Sequence, residues 1–154
     1  MSARVRVLQL RLVVVVLIFM LSAGSLGAEC IPLWKTLKDA EARSTLVFSG
    51  TVSESDDAIL VSFNVERVWK GALKQHTTLV VMPGMEVYPA SFFKPGKTYV
   101  VFASLTAFTT PPEITVVPAG TPIFEISFCS PTALVSDFGN SIEQLGPPKL
   151  PLPN

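Results

Sequence analysis

Cysteine and histidine are scarce in this sequence: two cysteines and one histidine in 154 residues. Two cysteines and one histidine do not make the four ligands of a structural zinc site, so no metal site is expected. The chain has no glycine-rich phosphate loop and no metal-ligand cluster. It also has no Asn-x-Ser/Thr glycosylation acceptor. Charged residues make up only 16% of it. No basic stripe of the kind that neutralises phosphates is present, so no nucleic-acid partner is expected. The single histidine, His76 in "KQHTT", lies in a polar stretch and reads as a solvated loop tip rather than a base beside a nucleophile. Asp56 and Asp57 are adjacent within "SESDDA", a turn by composition, and read as solvated rather than as an acid/base pair. An enzyme is therefore not expected, and no cofactor is implied.

What is present begins with a targeting pattern. Arg4, Arg6 and Arg11 give a positive start, residues 12–21 ("LVVVVLIFML") are unbroken apolar, and residues 22–28 ("SAGSLGA") are mostly small and uncharged. That order defines a secretory signal peptide over residues 1–27. The apolar run is shorter than the roughly 20 residues of a membrane span. No stable span is expected once the signal is removed, an uncleaved anchor being the alternative. Cleavage after Gly27 places Ser25 and Gly27 at the two pocket positions, and cleavage after Ala28 places Leu26 and Ala28 there. Glu29, directly before Cys30, does not suit lipidation of that cysteine. The expected location is extracellular or periplasmic. Three of the twelve basic residues and none of the twelve acidic ones lie in the signal, so the remainder carries nine basic and twelve acidic residues. About 126 residues remain, enough for one domain with one core. That domain is expected over 28–146, with a proline-rich tail over 147–154.

Both cysteines, Cys30 and Cys129, survive removal of the signal. Two cysteines in a small domain in an oxidising compartment usually pair. Two buried thiols are the alternative.

The pattern along the chain is strands first and a helix last. Residues 32–43 ("PLWKTLKDAEAR") have helical spacing and read as a short helix or turn, followed by a strand from Leu46 that Gly50 interrupts with a bulge or coil. Residues 58–70 alternate in period two, and the apolar face turns over near Arg67. Strands are also expected at 77–83, at 98–105 and in a last segment ending at Cys129, with a long irregular connection over 83–97. Apolar positions 134, 135, 138, 142 and 145 have helix spacing, weakened by Gly139 and ended by Gly146. The fold class expected is mainly β: a five-stranded Greek-key OB-type barrel with a short N-terminal helix or turn and a C-terminal helix. A β-sandwich is the runner-up on pattern alone.

Four stretches, "VFSGTV" (47–52), "FNVERVWKG" (63–71), "FFKPGKTYVVFA" (92–103) and "CSPTALVSDFGNSIEQLG" (129–146), together resemble the netrin-like domain. The form they resemble is the one shared by tissue inhibitors of metalloproteinases (TIMPs) and secreted bacterial proteins. The resemblance covers roughly 28–146 and implies an OB barrel with helices. It makes Gly50, Trp69, Lys70, Gly71, Gly96 and Tyr99 its fold signature, with Gly50 coiling the first strand, Trp69 capping one end of the barrel core, and Gly71 and Gly96 in turns. Family members usually begin C-x-C-x-P. Here Ala28-Glu29-Cys30-Ile31-Pro32 fits that frame with alanine for the first cysteine, and "YPASFF" lacks the cysteine found near that place in the family. One cysteine pair is thus absent, and Cys30–Cys129 is the surviving bridge. In the animal inhibitors the first residue's amine and carbonyl chelate the protease zinc. The resemblance therefore makes Ala28 the candidate chelator, if cleavage follows Gly27, and Glu29 the residue at the mouth of the substrate pocket. The implied partner is a zinc metalloprotease. The alternative is another extracellular or envelope protein bound by a module that kept the fold without inhibiting.

Overall fold

The computed structural model describes residues 35–56, 59–81, 88–110, 118, 120–127 and 129–154. All of them belong to one compact unit, Ile31–Asn154. The order is helix α1 (Leu37–Arg43), strands β1 (Leu46–Ser55), β2 (Leu60–Lys70) and β3 (His76–Val81), a 3-10 turn at Ala90–Phe92, then β4 (Thr98–Thr109), β5 (Pro122–Glu125) and β6 (Ala133–Leu134). A short helix α2 (Val135–Phe138) and a 3-10 segment (Gly139–Leu145) follow.

One sheet curls on itself. Its order is β1-β2-β3-β5-β4, and β4 also pairs with β1, which closes the barrel. All contacts around the ring are antiparallel except β3–β5, which is parallel. The five-stranded mixed barrel is of the OB type expected, and closure of a single sheet rules out the sandwich. β6 adds to the far edge of β4 through Tyr99 and Val100.

Two apolar layers hold it. The interior contains Phe48, Val52, Val61, Phe63, Phe93, Tyr99 and Val101 among its buried members. Its rings meet edge to face: Phe48–Phe63 at 5.2 Å, Phe63–Phe93 at 5.5 Å and Phe93–Tyr99 at 5.1 Å between centroids. Such pairs add about 0.5–1.5 kcal/mol each beyond area burial. The second layer is outside the barrel, where Leu37 and Ala40 of α1 and Leu145 cover Val47, Val100 and Phe102. This covering explains why residues 46–50 are buried without alternation. A strand buried on both faces loses its period-two signal.

β2 shows the face reversal the sequence suggested. Val61, Phe63 and Val65 point inward, Glu66 and Arg67 are both exposed, and Val68 is buried again. The ladder slips there, from Ser49 opposite Arg67 to Gly50 opposite Val65, so Glu66 is the extra residue of a bulge. Gly50 is needed at this crossing because a Cβ on it would lie 3.0 Å from the Asn64 carbonyl oxygen and 3.3 Å from Val65 Cα. Gly71 follows β2 with φ +85°, where an added Cβ would also run into the Leu46 side chain.

The later strands differ from expectation. β4 extends to Thr109, four residues past Leu105, because its distal half pairs with β5 rather than β1. β5 ends at Glu125, well before Cys129. The expected helix over 132–145 is split: Ala133–Leu134 are drawn into the sheet, and Gly139 (φ +49°) separates one α turn from the 3-10 segment. Gly146 (φ +78°) ends it as anticipated. The expected strand end at 82–83 and residues 83–87 of the irregular connection lie outside the described residues, as does the signal segment. Among the described residues no helix is long and apolar enough to cross a membrane.

Lys70 ties the two layers together. Its Nζ donates to the carbonyls of Glu41 and Ala42, both at 2.8 Å. These lie in the last turn of α1, where helix carbonyls lack partners and the dipole favours a cation. At the other end Thr36 and Asp39 form a reciprocal capping box. A seven-residue helix has little stability of its own, so the Lys70 cap carries weight. Lys70→Met is expected to lower unfolding free energy by about 1–2 kcal/mol, and Lys70→Arg to recover part of that. Urea midpoints of the two variants at equal slope check it.

Candidate functional site

The residues with chemistry fall in three places. Ala28, Glu29 and Cys30 lie outside the described residues, as does Asp57. Cys129 is described and partly buried, and its N–H donates to Ser127 Oγ at 3.1 Å. No free cysteine occurs among the described residues.

The segment after Cys129 is pinned to the barrel by side chains that imitate a strand. Thr132 is 2% exposed. Its Oγ1 accepts from the Phe102 N–H at 2.9 Å and from Ser130 Oγ at 3.0 Å. Directly afterwards Ala133 and Leu134 join β4 as β6. Cys129 therefore sits three residues from a buried anchor, on a segment with little freedom.

An open cleft of about 350 Å³ lies beside Cys129. Arg43 at the end of α1, Ser104 on β4, Glu125 at the end of β5, and Ser130 rim it, over a floor that includes buried Phe102. Arg43 and Glu125 carry opposite charge and form no ion pair with each other or with another described residue. The cleft can hold a chain segment with an apolar side chain inward and polar groups at its rim. The sequence reading missed all of these residues except Cys129. A helix-terminal arginine and a strand-terminal glutamate, 82 positions apart, give no joint signal until the fold places them together.

The remaining candidates lie outside the residues that line this cleft. Asp56 accepts from the Ile59 and Leu60 N–H groups at 2.9 and 2.8 Å, which makes it a turn builder. His76 begins β3, exposed and opposite Asn64, and does not line the cleft. Gly96 turns the chain into β4, its N–H donating to the Val52 carbonyl at 2.8 Å. Tyr99 is 4% exposed. Its hydroxyl accepts from the Lys94 N–H at 3.1 Å and donates to the Phe92 carbonyl at 3.3 Å. This bond pair gives the "F-x-x-G-K-x-Y" spacing a physical reason: the tyrosine latches the turn that precedes its own strand. Trp69 is not a cap on the barrel interior. It packs half-buried against the outer layer beside Ile142, and its Nε1 donates to the Gly146 carbonyl at 3.0 Å. The bulge at Glu66 has reversed the strand faces by that point, which turns Trp69 outward.

Strand order and closure place the chain among OB-type barrels. No protein-family model, curated protein or solved structure matches it.

Proposed function

We propose that this chain is a secreted, non-enzymatic binding module that inhibits a zinc metalloprotease through the backbone of its first mature residues. The observation that carries the reading is the fixed seat of Cys129 on an OB-type barrel, beside an open cleft. A Cys30–Cys129 bridge spans about 5.5–6 Å between Cα atoms. Two extended residues reach at most about 7 Å further. The α-amino group of Ala28, after cleavage behind Gly27, is thereby held close to a rigid part of the barrel. A deprotonated amine and the carbonyl of the same residue close a five-membered ring on zinc. This chemistry uses backbone atoms, so alanine in place of the usual cysteine does not forbid it. Glu29 then lies at the mouth of the substrate pocket. Without a second bridge the wedge orders on binding at a cost of roughly 0.5–1.5 kcal/mol per immobilised side chain, so inhibition weaker than that of a doubly bridged wedge is expected.

A second reading is a module that binds an extracellular or envelope protein without inhibiting. It is favoured by the distal ribbon of β4 and β5, which leaves Leu105 51% and Phe108 64% exposed beyond the barrel. One experiment separates the two. The secreted protein is assayed against a panel of metalloproteases at micromolar concentration, with and without one residue added before Ala28. Inhibition abolished by the added residue is the expected result. No inhibition in either form removes the first reading. A partner bound equally by both forms selects the second.

A further inference from the structure

The C-terminal residues 147–154, "PPKLPLPN", form a strap across the barrel. Lys149 and Val68 exchange a pair of backbone hydrogen bonds, at 2.7 and 2.9 Å. The Leu152 N–H donates to the Leu73 carbonyl at 2.8 Å, and the Gln75 N–H donates to the Leu152 carbonyl at 2.9 Å. The His76 N–H donates to Asn154 Oδ1 at 2.9 Å. The place is set by the sheet. The β2–β3 ladder ends at Asn64 and His76, with one further bond from the Val65 N–H to the Gln75 carbonyl at 2.7 Å, so Val68 stands on an edge that β3 leaves uncovered. Such an edge is a template for another strand.

The strap suits this edge and ends it. Its inward N–H groups belong to Lys149 and Leu152, while Pro147, Pro148, Pro151 and Pro153 have none to offer. Its outer side therefore presents little to a further strand. Apolar anchoring is slight, with Leu150 86% and Leu152 52% exposed. Its root is firm, since Leu145 is 3% exposed and Gly146 holds the Trp69 indole. A segment held by exposed hydrogen bonds beyond a firm root opens at a fraction of the global unfolding free energy.

We propose that Val68, Leu73, Gln75 and His76 form a peptide-docking slot of the strand-addition kind, closed in cis by the strap. Its external ligand is an extended, proline-containing peptide. Two donors, the N–H groups of Val68 and Gln75, and two acceptors, the carbonyls of Val68 and Leu73, serve the ligand backbone, while the His76 N–H meets a side-chain oxygen such as that of Asn154. The ligand needs non-proline residues at two positions three apart, as Lys149 and Leu152 are. The tethered strap acts at an effective concentration on the order of millimolar. A free peptide therefore enters when the strap is weakened or when its own affinity exceeds that threshold.

The test uses the full chain carrying Lys149→Pro and Leu152→Pro, which removes both inward donors. The probe is fluorescein-labelled PPKLPLPN. In the variant, amide exchange at Val68, Gln75 and His76 is expected to rise by at least about tenfold, with Phe48 and Val101 still protected. The probe should bind the variant at least about tenfold more tightly than wild type and restore the three amides. A probe with proline at both key positions should not bind. Failure of the probe to bind a variant with a protected barrel overturns the slot, and so does equal binding to both chains. Unchanged protection of the three amides overturns it as well. Should the variant lose barrel protection, wild type decides: its Lys149 and Leu152 amides must exchange faster than those of Phe48 and Val101. Equal protection would make the strap part of the core and end the proposal.

Discussion

Phe63→Ala is expected to remove about 3–5 kcal/mol of unfolding free energy, the range for deleting a buried aromatic ring. Phe63 is fully buried in the middle of β2. Its ring lies edge to face between Phe48 of β1 and Phe93 of the segment before β4, at 5.2 and 5.5 Å. It thus joins three parts of the barrel that are distant in sequence, and alanine would leave a void among aromatic rings that are too large to close around it. Small domains have roughly 5–15 kcal/mol in total, so the variant stands near the limit of folding. Phe63→Leu keeps most of the volume and should lose less than half as much. Urea unfolding at constant slope measures both. A loss below about 1 kcal/mol for the alanine variant would show that the barrel interior is not the packed centre described.

The Cys30–Cys129 bridge is expected to contribute about 2–5 kcal/mol. It would enclose nearly the whole barrel, and long loops remove the most freedom from the unfolded chain on the chain-entropy model. The Cys129 side of the bridge needs no rearrangement, because Thr132 and β6 already fix that segment. Cys129→Ser should lower the urea midpoint and steepen the slope, because the unbridged unfolded chain exposes more surface. An unchanged midpoint would remove the bridge and, with it, the rigid support for Ala28. The intact mass of the secreted protein, with and without reductant, gives two readings at once. A gain of two hydrogens on reduction reports the bridge. A chain starting at Ala28 keeps the chelator in frame, whereas a start at Glu29 puts it out of frame and leaves only the protein-binding reading.

Much of the barrel wall was legible residue by residue. Alternation from Val61 to Val65 marked a half-buried strand, and the adjacent charges Glu66 and Arg67 marked the place where its faces reverse. Gly50 signalled the crossing where β2 comes too close for a side chain. The candidate site was legible only at Cys129. Arg43, Ser104, Glu125 and Ser130 are ordinary polar residues at element ends, and they share a cleft only because α1 packs on the outside of β4.

By itself the sequence determined the features that depend on near neighbours: the run of strands, the glycine-marked break and turns, and the helix stop at Gly146. The tertiary structure alone decided what depends on distant pairing. The β1–β4 contact made a barrel rather than a sandwich, and the parallel β3–β5 contact set its mixed character. Lys70 became a helix cap across nearly thirty residues. The strap carries no periodic signal, because it docks through backbone groups that every residue shares, and only its prolines differ in lacking one of them.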